Sequence, residues 1–110
     1  MGKKEKVEEG SGNVFADLGL PDADDLLVKA QLARRIGEII KGRHLTQAEA
    51  AKVLGATQPI VSNLLGGRLH GFSLERLVRF LHALDRDVEI VVKRRSRRRG
   101  KARLGVHFTG

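Results

Sequence analysis

Between residues 46 and 68 the chain reads TQAEAAKVLGATQPIVSNLLGGR, and no other stretch restricts the possible folds so tightly. Thr46 is a good N-cap, and Glu49, three residues on, can accept from the Thr46 N–H to close a capping box. Ala50, Val53 and Leu54 then follow at helical spacing and give that helix a buried side. Gly55 can adopt the left-handed backbone that ends a helix without steric cost. Thr57 can cap a second helix, and Pro59 falls in its first turn, where a missing N–H is harmless. In this second helix Val61 and either Leu64 or Leu65 face inward, Gln58, Ser62 and Asn63 face outward, and Gly66-Gly67 stop it. Two short helices set at a steep angle by a glycine-containing turn describe a helix-turn-helix, whose second helix enters a DNA major groove N-terminus first.

Thr46-Gln47-Ala48-Glu49, Ala51, Gly55, Thr57-Gln58, Val61 and Gly67-Arg68 together resemble the Cro and phage-repressor (XRE-like) helix-turn-helix family. A wider resemblance takes in Asn13 to Leu20 before this stretch and Gly71-Phe72-Ser73 through Asp87-Val88-Glu89-Ile90 after it. With these flanks the chain looks most like the HigA-type antitoxins, single-domain repressors encoded beside a ribosome-dependent mRNA interferase. The resemblance implies that Gln58, first in the recognition helix, reads a base. A glutamine amide can donate to adenine N7 and accept from N6, which is worth about 1–3 kcal/mol of discrimination. It also implies that Gln47 contacts phosphate and fixes register. Thr57, Ser62 and Asn63 are the other polar groups on the reading side, with Arg68 and Arg43 as candidate phosphate ligands at its rim. The plainer alternative is that these are ordinary solvated residues. Pro59 departs from the family pattern, because many relatives carry a second polar reader there and a proline ring offers only apolar contact.

Charge supports DNA binding less directly than the total suggests. Lys93, Arg94, Arg95, Arg97, Arg98, Arg99, Lys101 and Arg103 supply eight of the 21 basic residues, and the other 13 equal the 13 acidic ones. The whole formal charge of +8 therefore comes from the C-terminal tail, and the helix-turn-helix must argue for DNA from its own residues. The tail is expected to touch phosphates without sequence preference. The chain has no cysteine, and His44, His70, His82 and His107 lack metal-ligand spacing, so neither metal nor other cofactor is expected. No nucleophile, base and orienting group recur together, so an enzyme is not expected. No apolar run approaches a membrane span and residues 1–12 lack a signal-peptide core, so a cytoplasmic protein with no membrane partner is expected.

In chain order, residues 1–12 are expected to be a disordered tail and residues 13–93 the DNA-binding domain, while 94–110 read as a disordered basic tail. Within the domain Val14, Phe15, Leu18 and Leu20 could form an arm. Pro21 follows, and Asp22 or Asp24 can cap a helix over about 23–42 that Gly42 closes. Its apolar face reads as Leu26, Ala30, Ala33, Ile36 or Gly37, and Ile40. After the helix-turn-helix, Ser73 caps a helix carrying Leu74, Leu77, Val78, Leu81 and Leu84, with Phe72 packing nearby. Asp85-Arg86-Asp87 breaks it. Val88 to Val92 then alternates in period two with β-branched residues, which reads as a strand in need of a partner: the Val14-Phe15 arm, a second copy, or another protein.

The expected fold is all-α: a compact domain of four to five helices containing the helix-turn-helix, with a short C-terminal β-strand. The expected function is a sequence-specific DNA-binding transcriptional regulator. It acts as a homodimer on a near-palindromic double-stranded operator, because one recognition helix reads too few base pairs alone. The narrower expectation is an antitoxin that represses its own operon and holds a toxin ribonuclease inactive. The alternatives are a free-standing XRE-like factor without a toxin, and an RNA-binding or ribosome-associated protein acting through the arginine-rich tail.

Overall fold

The computed structural model describes residues 22–95, 97 and 101–109; the expectations for residues 1–12 and for the Asn13 to Leu20 arm lie outside these. Four helices are present among the described residues: α1 (Ala23–Gly42), α2 (Gln47–Leu54), α3 (Gln58–Leu65) and α4 (Leu74–Ala83). The all-α expectation holds, and each of the four starts and stops within a residue or two of where capping chemistry places it.

Side-chain caps start three of them. Thr46 Oγ1 accepts from the Glu49 N–H at 3.1 Å while Glu49 Oε1 accepts from the Thr46 N–H at 2.8 Å, so the capping box is complete. Thr57 Oγ1 accepts from the Ile60 N–H at 3.4 Å, and Ser73 Oγ from the Arg76 N–H at 3.1 Å. At α1, Asp22 occupies the cap position without a side-chain capping bond.

All four helices end in the same hydrogen-bond pattern. A residue in the left-handed region donates back to the third residue before it, and its successor donates to the fifth before that successor, as in the Schellman motif. The bonds are His44 to Lys41 with Leu45 to Ile40, Gly55 to Lys52 with Ala56 to Ala51, Gly67 to Leu64 with Arg68 to Asn63, and Asp85 to His82 with Arg86 to Leu81. The left-handed residues have φ of 58° at His44, 67° at Gly55, 76° at Gly67 and 62° at Asp85. Only Gly55 and the Gly66-Gly67 pair are legible as stops by this route. Gly42 remains inside α1, and His44 makes the turn expected of it.

The core is shared by all four helices. Ile36 of α1, Val61 and Leu64 of α3, Leu77 of α4 and Leu84 just beyond α4 are fully buried. Phe72 is buried as expected and meets Phe80 edge-on at 6.3 Å, with the Arg76 guanidinium over both rings. The inward face of α1 is rotated from the expected one. Val28, Leu32 and Ile39 join Ala33, Ile36 and Ile40 in the core, whereas Leu26, Ala30 and Gly37 line an open groove of about 680 Å³ against Leu65 and Leu69. Helix α1 is apolar on more than half its circumference, so periodicity alone does not select the buried side.

The expected strand has no ladder. Among the described residues no strand is formed, and residues 86–95 run without regular structure. Val88 packs against the core, but Ile90, Val91 and Val92 are 89%, 74% and 91% exposed. Strand geometry needs a second strand to receive its hydrogen bonds, and this segment has none within the described chain. Further on, residues 104–108 lie along α1: the Leu104 N–H donates to Asp24 Oδ2 at 3.1 Å, Val106 packs on the core, and the Arg35 guanidinium sits 5.7 Å from the Phe108 ring centre. The alternation of Leu104, Val106 and Phe108 is the sequence signal for that contact.

The left-handed His44 is strained relative to glycine by about 1–2 kcal/mol, partly offset by glycine's greater freedom when unfolded. His44→Gly should therefore raise stability by about 0.5–1 kcal/mol, read as a higher urea midpoint at unchanged slope. A lower midpoint would show that the imidazole makes a contact worth more than the strain.

Candidate DNA-reading surface

Helices α2 and α3 are held by small and branched residues on their inner sides: Ala50, Ala51 and Leu54 on α2, Val61 and Leu64 on α3. Val53 and Leu65, both inward candidates by spacing, are each 39% exposed, so Leu64 is the α3 residue that enters the core. Gly55 sets the angle between the helices by its left-handed φ, as its position in the sequence implies.

This packing leaves the polar positions outside. Gln47 is the first residue of α2 and Gln58 the first of α3, and both are exposed. Each follows a hydroxyl cap, so the amide side chain projects from a helix start whose backbone N–H groups carry partial positive charge. Thr57 is exposed but its hydroxyl oxygen already accepts the capping bond of α3, leaving a methyl, the O–H donor and a second lone pair for any outside contact. Pro59 is exposed beside Gln58.

Arg68 brings Ser62 and Asn63 together. Its Nε donates to Asn63 Oδ1 at 3.0 Å, and its Nη2 donates to the Ser62 carbonyl at 3.2 Å and to Ser62 Oγ at 3.5 Å. The guanidinium thus folds over the C-terminal turn of α3, where the helix dipole favours a cation. Because the Asn63 oxygen accepts from Arg68, the amide is oriented with its NH2 group left to donate outward. Gly66 makes the fold-back possible, since a Cβ there would stand 2.5 Å from Arg68 Nη1. The sequence marks Gly66 only as a stop, and its proximity to Arg68 is the available clue to this second role.

Arg43 belongs to a different set of contacts. Its Nη2 donates to the Leu84 carbonyl at 2.6 Å and pairs with Asp85 at 3.8 Å, tying the end of α1 to the end of α4. Its guanidinium is therefore engaged in joining two helix termini, a role that the sequence, which offers it to phosphate, does not signal. His70 lines the groove beside α1 and Leu69. Among the described residues no three His, Asp or Glu side chains are grouped to hold a metal ion, and no helix is long and apolar enough to cross a membrane.

A helix-turn-helix with two amide side chains at successive helix starts defines a DNA-binding protein of the transcription-regulator class. The chain belongs to the helix-turn-helix domain family, whose model matches residues 14–93. It is also similar to a solved structure bearing the name putative XRE family transcriptional regulator, at 45% identity and a TM-score of 0.76. That match covers 81% of this chain and 100% of the other. The XRE-like resemblance read from Thr46 to Arg68 is thereby established. No curated protein sequence matches the chain.

Gln58→Ala should weaken specific binding by about 1–3 kcal/mol and relax preference at one base pair per half-site. Gln47→Ala should weaken binding to all sequences alike. Competition between operator and random duplexes separates the two. An unchanged ratio for Gln58→Ala would mean that α3 does not enter the groove as placed.

Proposed function

We propose that this DNA-binding regulator is an autorepressing antitoxin: it binds a near-palindromic operator as a homodimer and holds a partner ribonuclease inactive. The observation that carries the DNA part is the exposed Gln47 and Gln58 pair on two helices anchored in one core. Gln58, Thr57, Ser62 and Asn63 face base edges, while Gln47 and Arg68 meet phosphates. Arg43 acts from behind by fixing α1 against α4. Two such surfaces about 34 Å apart would read successive major grooves on one side of the duplex. The antitoxin part rests on the resemblance of the flanking sequences, residues 13–20 and 71–90, to those of HigA-type antitoxins, and such a protein would work in the cytoplasm.

The genetic arrangement tests it. The reading frame beside this gene should arrest growth when expressed alone and should be tolerated when this chain is expressed with it. If it has no such effect, the free-standing regulator takes over and the DNA assignment is untouched.

The basic run is assigned to non-specific phosphate contact. Replacing Arg94, Arg95 and Arg97 by Gln should flatten the slope of log K against log salt by up to ~0.9 for each phosphate no longer neutralised, with base preference kept. Loss of the specific-to-random ratio itself, with RNA affinity falling in parallel, would favour an RNA-binding protein instead.

A further inference from the structure

Ser62 and Asn63 straddle the side of α3 turned away from Val61 and Leu64, the side that the core leaves to a groove. An unconstrained asparagine there reads adenine, since its oxygen accepts from N6 while its NH2 group donates to N7. Asn63 is not unconstrained. Its Oδ1 accepts from Arg68 Nε at 3.0 Å, and the same guanidinium grips Ser62 through Nη2, at 3.2 Å from the carbonyl and 3.5 Å from Oγ. A guanidinium nitrogen can only donate, so a flipped Asn63 amide would set donor against donor. Among the described residues nothing accepts from Asn63 Nδ2, which is the end of the amide turned outward.

We propose that this clamp makes Asn63 a guanine reader. Its NH2 group donates to guanine O6 and N7 at one base pair of each half-site, and Arg68 is the positioning residue that excludes adenine there. The inference rests on the DNA-binding reading and names the base selected on the outer side of α3. Guanine presents two neighbouring acceptors in the major groove, so it alone takes both amide hydrogens. Adenine and cytosine each turn an amino group toward the groove, which would meet the fixed NH2 donor to donor. Thymine offers one acceptor beside a methyl group.

The surroundings agree. Ser62 Oγ accepts from Arg68, so its O–H is left to donate, and this part of α3 presents donors beside a cation. The clamp is built from charge-assisted bonds at a helix C-terminus, where a cation is favoured, and Gly66 gives the guanidinium room. Arg68 Nη1 has no acceptor among the described residues, so the same side chain can still meet a phosphate. No hydrogen bond holds the Gln58 amide among the described residues, so Gln58 keeps both its functions and its match to adenine. Two amides on one helix thereby read different purines, a distinction that residue type alone does not make.

The test is selection from a pool of random-sequence duplexes by the full-length chain, with the bound duplexes sequenced. Wild type should select guanine at one position per half-site that Asn63→Ala leaves without preference. Arg68→Ala releases the amide, so adenine should be admitted at that position and the guanine-over-adenine ratio should fall about fivefold or more. An Arg68 that only binds phosphate would lower affinity for all sequences and leave that ratio unmoved. A measurement needing no unfamiliar fold uses 7-deazaguanine at the selected position, which removes the N7 acceptor. It should weaken wild-type binding about fivefold and leave Asn63→Ala unaffected. Both residues are exposed, and circular dichroism verifies that the variants keep their helices. Adenine at the Asn63-dependent position in wild type, an unmoved ratio in Arg68→Ala, or indifference to 7-deazaguanine would each overturn the proposal. If Gln58→Ala relaxes its own base pair while Asn63→Ala relaxes none, this inference alone falls. If neither variant changes any base preference, the DNA reading of α3 falls with it.

Discussion

The reading surface exists because Val61 and Leu64 of α3 are buried together with Ile36, Leu77 and Leu84. An eight-residue helix is far too short to persist alone, since nucleation outweighs what its few hydrogen bonds return. Its conformation is therefore a property of the core, and only two of its side chains enter that core fully. This leaves Gln58, Ser62 and Asn63 outside the core without loss of the helix's position. Burial decides where the helix is, and the unburied residues are free to be chosen for what they contact. Gln58, only three residues before Val61, lies near the same face, and it is exposed because it stands at the first position of the helix, beyond the core.

How legible each feature is depends on whether its cause is local. Caps and glycine turns act over three to six residues, and so the helix-turn-helix, its boundaries and its outward polar set can be read from Thr46 to Arg68 without tertiary knowledge. His44 and Asp85 escape because residues other than glycine enter the left-handed region only when the surroundings hold them there. The Arg43 contact with the Leu84 carbonyl joins positions 41 residues apart, and nothing in either neighbourhood signals it. The buried face of α1 fails for a third reason: two apolar stripes compete on it, one for the core and one for the groove with Leu65 and Leu69. Period 3.6 identifies a helix, but with both stripes apolar it does not rank them.

Charge follows a similar division. The acidic and basic residues outside the C-terminal run balance, and among the described ones the observed ion pairs are surface contacts such as Arg34–Glu38 and Arg79–Glu75. Such exposed pairs contribute little to stability, so these residues keep the surface hydrated more than they hold the fold. The basic run is different in kind. Its eight basic residues carry the whole formal excess of +8, with no acidic residue among them to offset it.

Size explains why the end of the domain is left apolar. A compact unit of about 70 residues buries only about 60% of the surface its unfolded chain exposes, so its stability margin is narrow. Among the described residues the core draws on 16 buried hydrophobic side chains, most of them in the four helices, and with no cysteine in the sequence no disulfide staples it. Association remains as the route to further burial. A segment with Ile90, Val91 and Val92 in solvent is a liability for so small a unit, since exposed β-branched residues invite indiscriminate pairing.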